Sequence, residues 1–197
     1  MTISTIDTRT ALIVVDLQNA IRAYHVAHPV EEVFANAGAL ADAFRAHGLP
    51  VVLVNVAGRA PGRIEAQPGA QAQSSTGESP AERPADPLEF VPELHRAETD
   101  HVVTKRTWGA FTATDLDAYL RSEGVTQVVI AGIATSAGVE STARQAHEFG
   151  YNVTLATDAM SDRSAEAHDH VVSSVFPRIG ETGTTAEVIE LLASTRA

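Results

Sequence analysis

Ala131-Gly-Ile-Ala-Thr-Ser-Ala-Gly-Val-Glu-Ser-Thr-Ala-Arg144 begins inside an apolar run and passes through small residues into a polar helical pattern. It reads as a strand that ends in a tight turn and opens a helix. In an open α/β sheet, that junction is where a reactive group is placed. Gly138 stands where a nucleophile is expected, and it has no side chain. The stretch therefore sets the fold class and poses the chemical question together.

The same grammar repeats outward from this point. Gln127 to Ile133 is the strand that feeds the turn, and Gly138 to Phe149 is the helix that leaves it. Ala11-Leu-Ile-Val-Val-Asp16 is a continuous apolar run closed by an acid, the pattern of a parallel strand buried on both faces. Val30 to His47 has apolar residues at helical spacing, with Pro29 just before it. Val51 to Val56 and His101 to Lys105 are further strands. Asp115 to Ser122 is a helix with Thr114 as its N-cap. Asn152 to Ala156 is a strand, Ala165 to Val175 a helix, and Ala186 to Ser194 the last helix. Strands alternating with helices give βαβ units, a mostly parallel sheet and an α/β fold. The exception is the segment 57–87, rich in Gly, Pro, Ser, Gln and Ala. It reads as a flexible excursion or lid whose first part, Gly58-Arg-Ala-Pro-Gly-Arg63, forms pocket wall.

Bulk properties bound the rest. At 197 residues, the chain fits a single domain, 1–197, with a full core. A formal net charge of -11 argues against nucleic acid and anionic membranes as partners. Any anionic ligand must then be held by local Arg or Lys. The absence of cysteine removes disulfides, thiolate metal sites and cysteine nucleophiles, and fits a cytoplasmic protein. The N-terminal residues lack the basic and apolar regions of a signal peptide, and no apolar run approaches a membrane span.

Three strand ends carry candidate chemistry: Asp16 after the first, Lys105 at the end of the third, and Gly138 beyond the fourth. Singly, each has a bland reading, as a helix cap, a rim charge or a turn glycine. Ligands in open α/β sheets bind beyond the carboxyl ends of strands, and that joint placement favours a site.

These segments resemble the isochorismatase-like hydrolase superfamily, also called the cysteine hydrolases. Val14-Val-Asp-Leu-Gln-Asn19 is similar to the family's motif around its catalytic Asp. Val103-Thr-Lys-Arg-Thr-Trp-Gly-Ala-Phe111 is similar to the segment carrying its Lys. Gly132 to Arg144 is similar to its nucleophile segment, and Thr154-Leu-Ala-Thr-Asp-Ala-Met160 to the strand and turn that follow. The resemblance spans nearly the whole chain. It implies a three-layer αβα, doubly wound, mostly parallel six-stranded sheet, a small-molecule substrate, and a homodimer or homotetramer. It also implies a cis peptide between Ile133 and Ala134, and an oxyanion site built from the Ala134 and Gly138 amides. Most of the family has Cys where this chain has Gly138, whereas the isochorismatases proper are similar to this chain in having Gly. They cleave a vinyl ether without a covalent intermediate. The resemblance thus implies Asp16 as acid and base, Lys105 as its electrostatic partner, and Gly138 as the residue that makes room.

Secondary candidates surround this centre. Arg59, Arg63 and Arg106 could hold an anionic substrate and read equally well as rim charges. Trp108 and Phe111 could line an apolar pocket, though Phe111 also reads as core. Gln18 could orient Asp16 or water, or merely cap the first loop. Ser136 is a displaced nucleophile on one reading and a turn or cap residue on the favoured one. His147 and His168 lie in no activating motif. Some relatives hold zinc or iron after the second strand. Here Asn55-Val-Ala-Gly-Arg-Ala-Pro-Gly-Arg63 supplies no His or Asp, so no metal and no other cofactor is expected. Gly180-Glu-Thr-Gly-Thr-Thr185 lacks the Lys of a phosphate loop and reads as a helix-entry turn. The expectation is an isochorismatase-like hydrolase, free of metal and of a Cys nucleophile, acting on a small anionic or enol-ether substrate. An amidase- or lyase-like relative using activated water, and a non-catalytic ligand-binding protein, are the alternatives.

Overall fold

Every residue of β1 (Thr10–Val15) is buried, and its side chains alternate between two cores. Leu12 and Val14 enter one; Ala11, Ile13 and Val15 enter the other. A strand apolar on both faces must be covered on both faces, which is why the sheet lies between two helical layers. In this computed structural model, residues 2–58 and 86–195 are described.

The elements follow as α1 (Val30–Ala46), β2 (Val51–Val56), β3 (His101–Lys105), α2 (Leu116–Ser122), β4 (Gln127–Ile133), α3 (Glu140–Glu148), β5 (Asn152–Ser161), α4 (Ala165–His170), β6 (Glu181–Gly183) and α5 (Thr185–Thr195). The six strands pair in the order β3-β2-β1-β4-β5-β6. All five pairings are parallel, so the sheet is wholly rather than mostly parallel. The order reverses direction between β1 and β4. That crevice is the topological switch point at which doubly wound sheets bind ligands. Residues of α1 and α5 cover one face, and residues of α2 and α3 cover the other. No helix among the described residues is long and apolar enough to cross a membrane.

Several expected boundaries shift for local reasons. β5 does not stop at Ala156. Its register with β4 breaks between Ile130 and Gly132, then resumes with Met160 and Ser161. The displaced residues include Asp158, whose carboxylate accepts from the Thr185 N–H at the start of α5 at 2.7 Å. β6 lies inside the segment expected to be only a helix-entry turn, and Thr184 and Glu187 still form a reciprocal cap there. The helix expected from Gly138 starts two residues later, after a wide π turn over Thr135–Val139. The helix expected over 165–175 is α-helical only to His170 and continues as a second wide turn to Val175. Asp115 rather than Thr114 takes the N-cap position of α2, although the Thr114 hydroxyl accepts from the Leu116 N–H at 3.4 Å. The excursion over 57–87 is largely outside the described residues.

A buried ion pair ties α1 to the approach of β3. Arg45 Nε and an Arg45 terminal nitrogen donate to the two Asp100 carboxylate oxygens at 3.0 and 2.7 Å. The Ala97 N–H donates to the same carboxylate, and Arg45 also reaches the Leu94 carbonyl. Arg45 also pairs with Asp42 at 2.9 Å, so removing Asp100 leaves a partly exposed guanidinium with one carboxylate partner and two hydrogen bonds fewer. Asp100→Ala is expected to lower stability by about 1.5–3 kcal/mol, read as a drop in the urea midpoint at unchanged slope.

Candidate active site

Asp16 follows β1 with φ 58, a left-handed conformation that Asp tolerates better than most residues. Its N–H still bonds to the Val54 carbonyl of β2 at 2.8 Å, so the backbone remains in the sheet as the chain turns. Lys105 ends β3, two strands away from β1 and so about 10 Å from it across the sheet. Its long side chain crosses the end of β2 and meets Asp16 Oδ2 at 2.8 Å.

The ammonium is saturated. Its three N–H donors meet Asp16 Oδ2, the Trp108 carbonyl at 2.6 Å and the Thr107 carbonyl at 3.3 Å. Lys105 is 1% exposed and Asp16 7%. Burial pushes the Asp16 carboxyl up to about 6, against the pull of the Lys105 ammonium and its hydrogen bond. Oδ2 faces Lys105, while Oδ1 is buried with no hydrogen-bond partner among the described residues. A proton on Asp16 therefore resides on Oδ1.

Gly138 lies in the π turn between β4 and α3. A Cβ at this position would stand 3.0 Å from Asp16 Oδ2, 3.1 Å from a Val15 methyl and 3.2 Å from Lys105 Nζ. The carboxylate–ammonium pair thus closes over the place where a side chain would begin. The peptide between Ile133 and Ala134 is cis, as the resemblance implied. The turn is pinned from outside. Thr135 Oγ1 shares a 2.9 Å hydrogen bond with Nδ1 of buried His168, and the Ser136 N–H donates to Asp162 at 2.7 Å. Burial, and then the neighbouring His28, hold the His168 imidazole below its usual range.

A cavity of about 270 Å³ opens at this point. Asp16, Lys105, Ile133, Ala134, Gly138 and Trp108 all line it. The other named candidates among the described residues lie elsewhere. Gln18 is buried, accepting from the Val56 N–H at 2.8 Å and donating to the Pro87 carbonyl at 3.0 Å, so its amide is spent on fastening loops. Phe111 packs in the core beside Phe149 and Tyr151. Ser136 is held by its own backbone in the pinned turn. Arg106 donates to the Ala57 carbonyl at 3.2 Å, outside the lining. Arg59 and Arg63 fall outside the described residues. The sequence reading missed Tyr24, Val26 and Arg163, all of which line the cavity. Among the described residues there is no cluster of three or more His, Cys, Asp or Glu placed to hold a metal.

An ion pair facing a small cavity thus stands at the switch point of a parallel αβα sheet, where open α/β sheets bind their ligands. Residues 10–187 match the family model described as Isochorismatase domain. The chain is 44% identical to the uncharacterized isochorismatase family protein YwoC of Bacillus subtilis, over 92% of this chain and 93% of that one. It is 40% identical to the uncharacterized isochorismatase family protein YecD of Escherichia coli O157:H7, over 93% and 96%. The solved structure of an isochorismatase family protein from Burkholderia thailandensis superposes with a TM-score of 0.81 at 39% identity, covering 98% of this chain and 100% of that one. The chain belongs to the isochorismatase family. Relatives at lower identity bear hydrolase names, among them Nicotinamidase 3, Ureidoacrylate amidohydrolase and Isochorismatase.

Proposed function

We propose that this protein is a hydrolase that works without a covalent enzyme intermediate, cleaving a small anionic enol ether by proton transfer from Asp16. The observation carrying this reading is the Asp16–Lys105 pair closed over the space beside Gly138. No side chain at that position can attack a substrate, and the chain contains no cysteine elsewhere. What remains is a buried carboxyl whose pKa of about 6 leaves about one-tenth of it protonated at pH 7.

A vinyl ether suits such a group. Proton transfer from the Asp16 carboxyl to the terminal alkene carbon makes an oxocarbenium ion. The resulting carboxylate stabilises that cation. Water adds to the cationic carbon and returns a proton to Asp16, and the hemiketal collapses to a ketone and an alcohol. Lys105, held by backbone carbonyls, fixes Asp16 and keeps its pKa from climbing further. Ala134 and Gly138 border the same cavity. Their N–H groups are assigned to the alcohol oxygen that takes up the bonding electron pair when the hemiketal collapses, with Ile133 and Trp108 as walls.

Turnover of a vinyl ether panel by wild type and Asp16→Asn tests the reading. Asn keeps the shape and an acceptor for Lys105 but has no acidic proton to give. The loss expected is about 10²–10⁴-fold in kcat/KM. Because the protonated acid is the active form, wild-type kcat/KM should fall as pH rises above about 6, approaching tenfold per unit. Equal turnover by both proteins sinks the mechanism. The hydrolase names of the amidase relatives favour one second reading, amide cleavage by water activated by Asp16. Amides and cyclic imides belong on the panel for that reason, and tight binding without product would point to a non-catalytic member.

A further inference from the structure

We infer that Arg163, laid against Tyr24 at the rim of the cavity, is the anchor for a substrate carboxylate, and that the substrate is an apolar-bodied monocarboxylate. This rests on the reading of the switch-point cavity as the substrate site. Lys105 is the cation nearest the chemistry, but its three donors are already committed to Asp16, Trp108 and Thr107. It cannot take a substrate carboxylate without releasing one of them. The anchor must come from another residue.

Among the described residues, Arg163 is the other cationic residue lining the cavity. Its guanidinium carbon lies 4.5 Å from the centre of the Tyr24 ring, close enough for a cation–π contact that orients the planar group. It is exposed, and among the described residues its side chain pairs with no carboxylate. That is informative in a chain with 25 Asp and Glu against 14 Lys and Arg. Among the described residues, Asp16 is the only carboxylate lining the cavity.

The residue is also held in register with the reactive turn. Asp162 accepts from the Ser136 N–H at 2.7 Å and from the Arg163 N–H at 2.7 Å. One buried side chain thus fastens the turn that carries Gly138 to the backbone that carries Arg163. Most of the remaining described lining is apolar, with Ile21, Val26, Val56 and Ala137. A volume of about 270 Å³ is just below the range of about 300–1,000 Å³ typical of pockets for drug-sized ligands, so the guest is small. One charged end at Arg163, an apolar middle and a reacting end at Asp16 define the class.

The chain's single Trp, Trp108, lines the same cavity and is 65% exposed, so its fluorescence reports binding without any turnover. Pentanoate and pentanamide are the probes, titrated at pH 7.5 into wild type, Arg163→Gln and Arg163→Lys. Wild type is expected to bind pentanoate roughly ten- to hundredfold more tightly than pentanamide. Arg163→Gln should abolish that preference, and Arg163→Lys should keep only part of it, since a point charge cannot make the paired hydrogen bonds of a guanidinium. A wild-type protein that binds both probes equally or neither, or an Arg163→Gln variant that keeps the preference, overturns the inference. Failure of the vinyl ether panel leaves this result standing, because no reaction enters the measurement.

Discussion

Gly132→Ala is expected to leave little folded protein. A Cβ at this position would lie 2.0 Å from the Val15 carbonyl oxygen and 2.7 Å from the Val15 nitrogen. Both atoms belong to the backbone of β1, so no side chain can swing aside to relieve the clash. Gly132 also has φ 126, a conformation that side-chain-bearing residues rarely adopt. Val15 and Gly132 are partners in the β1–β4 ladder, the central pairing of the sheet. The two strands would have to part where Asp16 leaves one and Ile133 continues the other. A cost above about 4 kcal/mol is expected, in the range of the most severe single substitutions. Soluble yield and far-UV circular dichroism check it directly. A variant with the wild-type melting temperature would show that the strands can separate at this point without loss.

Lys105→Met is expected to produce the second large effect, and one that depends on pH. Methionine keeps much of the buried stem and removes the charge. Losing one partner of a buried pair costs about 3–5 kcal/mol. The pH dependence follows from Asp16. Its folded pKa, about 6, lies above the ordinary carboxyl value of 3.8, so it contributes stability below about pH 4 that is lost as pH rises to about 6. Above that range its contribution in wild type is flat. Both effects of Lys105 on Asp16 lower its pKa, so the variant's Asp16 titrates at a higher pH. The decline then extends past pH 6, at a slope approaching about 1.4 kcal/mol per unit. Urea titrations of both proteins at pH 5, 6, 7 and 8 measure this. Parallel curves above pH 6 would mean that Asp16 is not the group Lys105 controls.

Five of the six strands were legible because burial on both faces, or a short apolar run before a charged end, leaves a plain mark in the residues. β6 left none. It has three residues, Glu181-Thr-Gly183, at the sheet edge, and its pairing is decided by β5 rather than by its own composition. Asp16, Lys105 and Gly138 were legible through the strand-end rule. Arg163 was missed because that rule was applied to β5 at Ala156. The register break around Asp158 is invisible in the sequence, and the strand actually ends at Ser161, one residue before Asp162 and two before Arg163. Tyr24 belongs to a loop, and its approach to Arg163 is set only by tertiary packing. Gln18 and Phe111 were ambiguous in sequence because a buried amide that fastens loops and one that orients a substrate look alike there.

The carbonyls that hold Lys105 belong to Thr107 and Trp108, and every residue type has a carbonyl. The indole of Trp108 lies outside this arrangement, exposed at the opening. Position 108 therefore has two independent jobs, one assigned to its main chain and one to its side chain. Substitution there changes what the opening admits and leaves the ammonium where it is. The side chain at residue 108 is thus free to vary without disturbing the main-chain bonds that hold Lys105 against Asp16.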